Sequence, residues 1–208
     1  DITDPLTLDG STQPGFAGTP IIALVGTEDA SLGLHIRTTN CLIRSLVITS
    51  FAGPGIVLDG DARDNVIGGT NAGAGNIIVS NSASGVTAIS GTNNAIRGNL
   101  IFGNGALGID LGDDGVTLND SKDPDIGPNQ LQNFPILSSA ILSNNSVAIS
   151  GTLNSRSNII FQLDFFASQA CDDSGYGEGQ AYLGTRSVTN SSSGTTNFNI
   201  TLPGAAPG

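Results

Sequence analysis

Methionine and tryptophan are absent from these 208 residues, which hold one lysine, one histidine and two cysteines. Each scarcity excludes something. Seven basic residues against 18 acidic ones give a formal net charge of −11, so no basic stripe exists to neutralise phosphates. Nucleic acid is thereby excluded as a partner, and anionic membrane surfaces are disfavoured. No apolar run approaches the roughly 18 residues that cross a bilayer, and no basic-then-apolar leader opens the chain, so no membrane insertion is expected. One histidine and two distant cysteines cannot build a four-ligand zinc site. Charged residues amount to 12% and hydrophobic ones to 38%, the reverse of a disordered composition, so the chain is expected to fold. The lack of methionine leads us to expect an excised or processed piece of something longer.

What is present is a repeat. Gly33-Leu34-His35-Ile36, Gly55-Ile56-Val57-Leu58, Gly85-Val86-Thr87-Ala88 and Gly108-Ile109-Asp110-Leu111 each read glycine, apolar, variable, apolar, at steps of 22, 30 and 23 residues. The long step holds a Gly-rich excursion between Ile67 and Ile77. A second column lays Asn93–Ile101 over Asn40–Ile48 without a gap, with Asp64–Gly69 between them. Apolar residues alternate with period two in short runs broken by Gly, Asn and Ser, which predicts short strands rather than helices. Such strands bury their inward side chains when successive coils stack as a parallel solenoid. The inward ladders are expected to be Leu34/Ile56/Val86/Ile109 and Ile36/Leu58/Ala88/Leu111, with the variable middle slot facing outward. Asn65 with Asn94, and Asn76 with Asn99, are expected to stack at corners, where asparagine tolerates left-handed backbone.

The fold class is therefore all-β: a right-handed parallel β-helix of about five coils over residues 1–125, a linker at 126–135, and a small antiparallel β-sandwich of immunoglobulin-like size over 136–208. Its strands are expected at Ser146–Leu153, Ile159–Ala167, Ala181–Val188 and Thr196–Leu202, and the chain closes on turn-like Pro203–Gly208 where a last strand belongs.

Leu8-Asp9-Gly10-Ser11-Thr12-Gln13-Pro14-Gly15, Asn65–Thr70, Gly108–Gly112 with its acidic tail, and Leu131-Gln132-Asn133-Phe134-Pro135 resemble the right-handed parallel β-helix repeats of large secreted bacterial surface proteins. Gly151–Asn154, Asp164–Ala167 and Gly177–Gln180 are similar to the β-sandwich module that commonly follows them. The resemblance implies an extracellular or cell-surface, adhesin-like role. The same helix also serves polysaccharide lyases and hydrolases, so fold alone does not choose.

Candidate chemistry centres on acid. Asp110, Asp113, Asp114, Asp120, Asp123 and Asp125 crowd six of the 18 acidic residues into 16 positions, the hard oxygen donors that Ca²⁺ takes. Their spacing matches neither an EF-hand loop nor the Gly-rich calcium nonapeptide, and a solvated acidic loop with Asp side chains capping turns is the competing reading. Asp59, Asp61 and Asp64 with Arg63 read as turn stabilisers. Arg44 and Arg97 repeat one another, which reads as a structural ladder with neighbouring carboxylates. His35 is read as an ordinary surface residue, and no Gly-x-Ser-x-Gly elbow accompanies it. Cys41 takes the place of Asn65 and Asn94 in its coil, so corner packing competes with a Cys41–Cys171 bridge.

No set of residues converges on a reaction in the sequence. The expectation is a non-enzymatic, extracellular structural or adhesive module that assembles end to end with copies of itself or with adjacent repeats. The alternative is a module that binds or cleaves extracellular polysaccharide, against which stands the scarcity of stacking aromatics: no Trp, and two Tyr, both in the second module.

Overall fold

The computed structural model describes residues 1–27, 29–172 and 174–204. Twelve short strands come first. They are β1 (Thr7–Asp9), β2 (Ile22–Val25), β3 (Leu34–Ile36), β4 (Leu42–Arg44), β5 (Leu46–Thr49), β6 (Ile56–Leu58), β7 (Val66–Gly68), β8 (Ile77–Val79), β9 (Val86–Ala88), β10 (Ala95–Arg97), β11 (Leu100–Phe102) and β12 (Ile109–Leu111). They form three parallel sheets of four strands each, ordered β1-β4-β7-β10, β2-β5-β8-β11 and β3-β6-β9-β12. Every third strand therefore lies on the same face, which is the parallel β-helix arrangement. Four coils are regular among the described residues, and Ile2 starts a further layer by bridging to Ile36.

Register follows the repeat. Leu34, Ile56, Val86 and Ile109 are consecutive partners, as are Ile36, Leu58, Ala88 and Leu111. Ile36, Ile43, Ile48, Ile56, Leu58, Ile67 and Ile78 are wholly buried inside, each worth about 2 kcal/mol in apolar burial. Two expectations fail. Ile109, placed on an inward ladder, is 42% exposed at the last coil. The middle slot, in turn, is not an exposed outer row, because Val57, Thr87 and Asp110 are 4%, 1% and 6% exposed. His35, at the head of that slot, is half-buried between two carboxylates, with Nδ1 2.9 Å from Asp1 and Nε2 3.5 Å from Asp59. It is not the plain surface residue the sequence suggests.

Five long strands follow: β13 (Ile136–Ser143), β14 (Ser146–Asn154), β15 (Ile160–Ala167), β16 (Ala181–Thr189) and β17 (Thr195–Pro203). An antiparallel sheet β13-β14-β17 faces a pair, β15-β16, over a core of Ile149, Leu153, Leu163, Phe165, Val188, Phe198 and Leu202. Strand β13 was not legible in the sequence, because all eight of its residues are exposed and its apolar residues do not alternate. Residues 205–208, the expected linker-like tail, lie outside the described residues.

Candidate metal centre and capped corners at the helix–sandwich junction

Asparagine amides tie the coils together at three corners. Asn65 Nδ2 donates to Asn94 Oδ1 at 2.9 Å, Asn76 Nδ2 to Asn99 Oδ1 at 2.9 Å, and Asn81 Nδ2 to Asn104 Oδ1 at 3.0 Å. Each oxygen also accepts a backbone N–H of the coil before, as Asn99 Oδ1 does from Asn76 at 3.0 Å, and Asn76 Oδ1 in turn accepts from Leu46 at 3.1 Å. The third corner went unseen in the sequence, although Asn81 and Asn104 stand 23 residues apart, a coil length. At the first corner Cys41 sits buried, its N–H given to Asn65 Oδ1, and both Cys41 and Cys171 are free thiols; the bridge does not form.

Each ladder is then closed by a residue from beyond the helix. Asn129 Oδ1 accepts from Asn94 N at 3.0 Å and its Nδ2 donates back to Asn94 O at 2.8 Å. Asp164 of β15 accepts from Gly98 N at 3.2 Å, next to Asn99. Glu178 accepts from Asn104 Nδ2 at 3.0 Å and from Gly103 N at 2.5 Å. Gly179 also adds a backbone pair to the last strand of its sheet, bonding Ile101 in both directions at 3.0 and 2.7 Å.

The arginine column completes the join. Asp9, Arg44, Gly68 and Arg97 lie in successive coils. Arg44 pairs with Asp9 at 2.6 Å, and that hydrogen bond holds the Asp9 carboxyl at about 2, from an ordinary 3.8. Gly68 has φ of +86°, and a Cβ there would lie 2.2 Å from Asn99 Oδ1, so the column must skip a side chain at that coil. Arg97 grips Asp164 of the sandwich through Nε at 3.1 Å and Nη2 at 2.5 Å, and Nη2 also reaches Thr185 Oγ1 at 2.8 Å. Asp61 pairs with Arg63 at 2.6 Å and Asp59 accepts from Gly60 N at 2.6 Å, the turn work expected of them.

Of the six aspartates, three converge. Asp120, Asp123 and Asp125 each bring a carboxylate oxygen within 4.8 Å of the others, a cluster that could hold a metal ion. Asn133 builds it: its Oδ1 accepts from Asp120 N at 3.1 Å, its Nδ2 donates to Asp120 O at 2.7 Å and to Asn154 O at 2.9 Å, and its N–H meets Asp123 Oδ1 at 3.3 Å. Ser155 Oγ donates to the other Asp123 oxygen. Lys122 and Asp123, at φ of +68° and +58°, fold the chain back so that positions 120, 123 and 125 share one side. Asp120 Oδ1 and Asp125 Oδ1 are buried without a hydrogen-bond partner. Burial, and then the charges of Asp120 and Asp123, raise the Asp125 carboxyl above its usual range. Two orphaned carboxylate oxygens beside a third acid fit a hard cation, whose charge would offset their mutual repulsion. A shallow cleft of about 530 Å³ opens beside them, with Lys122, Gln130 and Arg156 on its walls.

Asp110, Asp113 and Asp114 are not in that group. Asp110 ends the middle slot of the helix next to Thr87, and accepts from Gly115 N at 3.3 Å. Burial raises its carboxyl, and Asp113 adds to the shift. Among the described residues no helix is long and apolar enough to cross a membrane. No protein family and no curated protein matches this sequence.

Proposed function

We propose that this chain is a non-enzymatic structural module of an extracellular bacterial surface assembly, a stiff rod with a built-in end piece that joins copies of itself or adjacent repeats. The reading rests on the three closed corners. Asn129, Asp164 and Glu178 make linker, sandwich and helix mechanically continuous, which suits load transmission and not opening and closing around a substrate. The resemblance to β-helix repeats of secreted bacterial surface proteins supports it. Within this reading the cation at Asp120, Asp123 and Asp125 is Ca²⁺, abundant outside cells and suited to carboxylate and carbonyl oxygens, and it locks the linker to the end of β14 through Asp123, Asn133 and Ser155. Incubation with a polysaccharide panel and assay of reducing ends tests the reading: no release is expected, and release from any polysaccharide overturns it.

A second reading, binding of an acidic polysaccharide, is favoured by one observation. Lys122 and Arg156, two of the seven basic residues, line the cleft beside the metal cluster. A glycan array in calcium-containing buffer distinguishes it: retention of uronate-containing glycans that is lost on Arg156→Ala supports that binding, and absence of retention dismisses it.

A further inference from the structure

The sandwich is open on one side. β16 meets β17, since Arg186 Nη2 donates to Thr201 O at 3.3 Å, and β15 sets Phe165 edge-on to Phe198 of β17, ring centroids 6.2 Å apart. The paired sheet is used up at that point, so β13 has no strand opposite it and pairs along one edge alone, to β14. Ile136, Leu137, Ile141 and Leu142 are 60%, 56%, 62% and 62% exposed in consequence. Isolated proteins guard such an edge with charge, proline or a covering loop. Among the described residues none is present on it: β13, β14 and β17 carry no charged residue at all, within a chain of net charge −11.

That charge distribution identifies the occupant. Two copies, each at −11, repel wherever acidic surfaces meet, and this sheet is a face on which they approach without charge. We propose that β13 is a self-association edge, adding antiparallel to β13 of a second copy about a two-fold axis at the Ala140 pair. In that register, with the bulge between Leu137 and Ser139 taking up one residue, Leu137 of each copy faces Leu142 of the other, on the side where Leu137 and Leu142 lack cover, and two three-stranded sheets become one of six. The proposal deepens the self-assembly in the structural reading and rests on it.

Sedimentation and light scattering of the wild-type chain across a dilution series test this. The expected mass is twice 20.9 kDa at high concentration, returning to 20.9 kDa on dilution. Ser139→Lys, at an exposed position beside the axis, is expected to raise the midpoint concentration by ~10-fold with an unchanged melting temperature, since the two lysines then flank the axis on one face of the joined sheet. Leu118→Lys, 72% exposed elsewhere, is expected to change nothing. Hydrogen exchange of the 136–143 amides should slow with concentration, a readout independent of any variant. A monomer at every concentration, which would leave the edge to a different chain, overturns the proposal, as does a dimer indifferent to Ser139→Lys with unprotected 136–143 amides. Ordered arrays joined elsewhere, with β13 free, sink this interface and leave the structural reading standing; release of reducing ends does the opposite.

Discussion

Glu178 stands over Asn104 where the next asparagine of that corner would stand, taking the Asn104 amide at 3.0 Å with the same kind of acceptor oxygen that Asn104 offers to Asn81. The sandwich thus ends the helix by imitating another coil. Interior and end of a ladder should then differ in cost. Asn76→Ala strands the buried Leu46 N–H and Ile43 C=O, and a loss of roughly 3 kcal/mol, about 10 °C in Tm, is expected by thermal melting. Glu178→Ala frees groups at an exposed or part-buried end and should cost about 1 kcal/mol.

Asp164 closes the arginine column and the second corner together. Asp164→Ala leaves the half-buried Arg97 guanidinium with Thr185 alone and the Gly98 N–H without its acceptor, at a cost of about 2 kcal/mol. The loss falls on the junction, so calorimetry should resolve helix and sandwich as two transitions where the native chain gives one. Asp164→Asn, which keeps an acceptor oxygen, should separate them less.

Calcium held at the Asp120/Asp123/Asp125 cluster, as proposed, would stabilise the folded chain by mass action, about 2.7 kcal/mol at a hundredfold excess over Kd. Melting curves in millimolar calcium and in excess chelator should differ by several degrees, and Asp125→Asn should abolish the difference. Coincident curves for the native chain would remove the cation from the account.

Acid should act in two stages in the absence of calcium. The raised Asp125 and Asp110 carboxyls bind protons more readily folded than unfolded, so mild acidification from neutrality favours the folded state. Asp9 has the opposite sign: its stabilisation is present above the unfolded value of 3.8 and disappears as pH falls towards about 2. Denaturant midpoints should rise on mild acidification and then collapse in strong acid, and calcium should blunt the rise.

The two thiols should report burial directly. Cys171 is exposed and should react with a thiol reagent in the native state, whereas buried Cys41 should react only after unfolding, and gels with and without reductant should agree.

Much of the helix was legible because a solenoid writes each contact twice. Ile36, Leu58 and Ala88 announce their stacking by recurring at a coil's spacing, and Asn65/Asn94 and Asn76/Asn99 do the same. The Asn81/Asn104 corner carried the identical signal. The burial of Val57, Thr87 and Asp110 carried none, since alternation tells only which side a residue takes and not whether that side is later covered.

By itself, then, the sequence determined the strand period, the coil spacing, the corner amides and the acidic character of the linker, all properties of neighbouring residues and of a repeating length. Tertiary structure decided which three of six aspartates meet, that Asn129, Asp164 and Glu178 finish the ladders, and that β13 is left bare. The ladder ends depend on contacts between segments 35 to 88 residues apart that share no repeat, as Asn94 with Asn129 and Arg97 with Thr185 do, and the aspartate cluster on a fold-back fixed by Asn133 and Ser155. Only closure of the chain in space brings such groups within hydrogen-bonding reach.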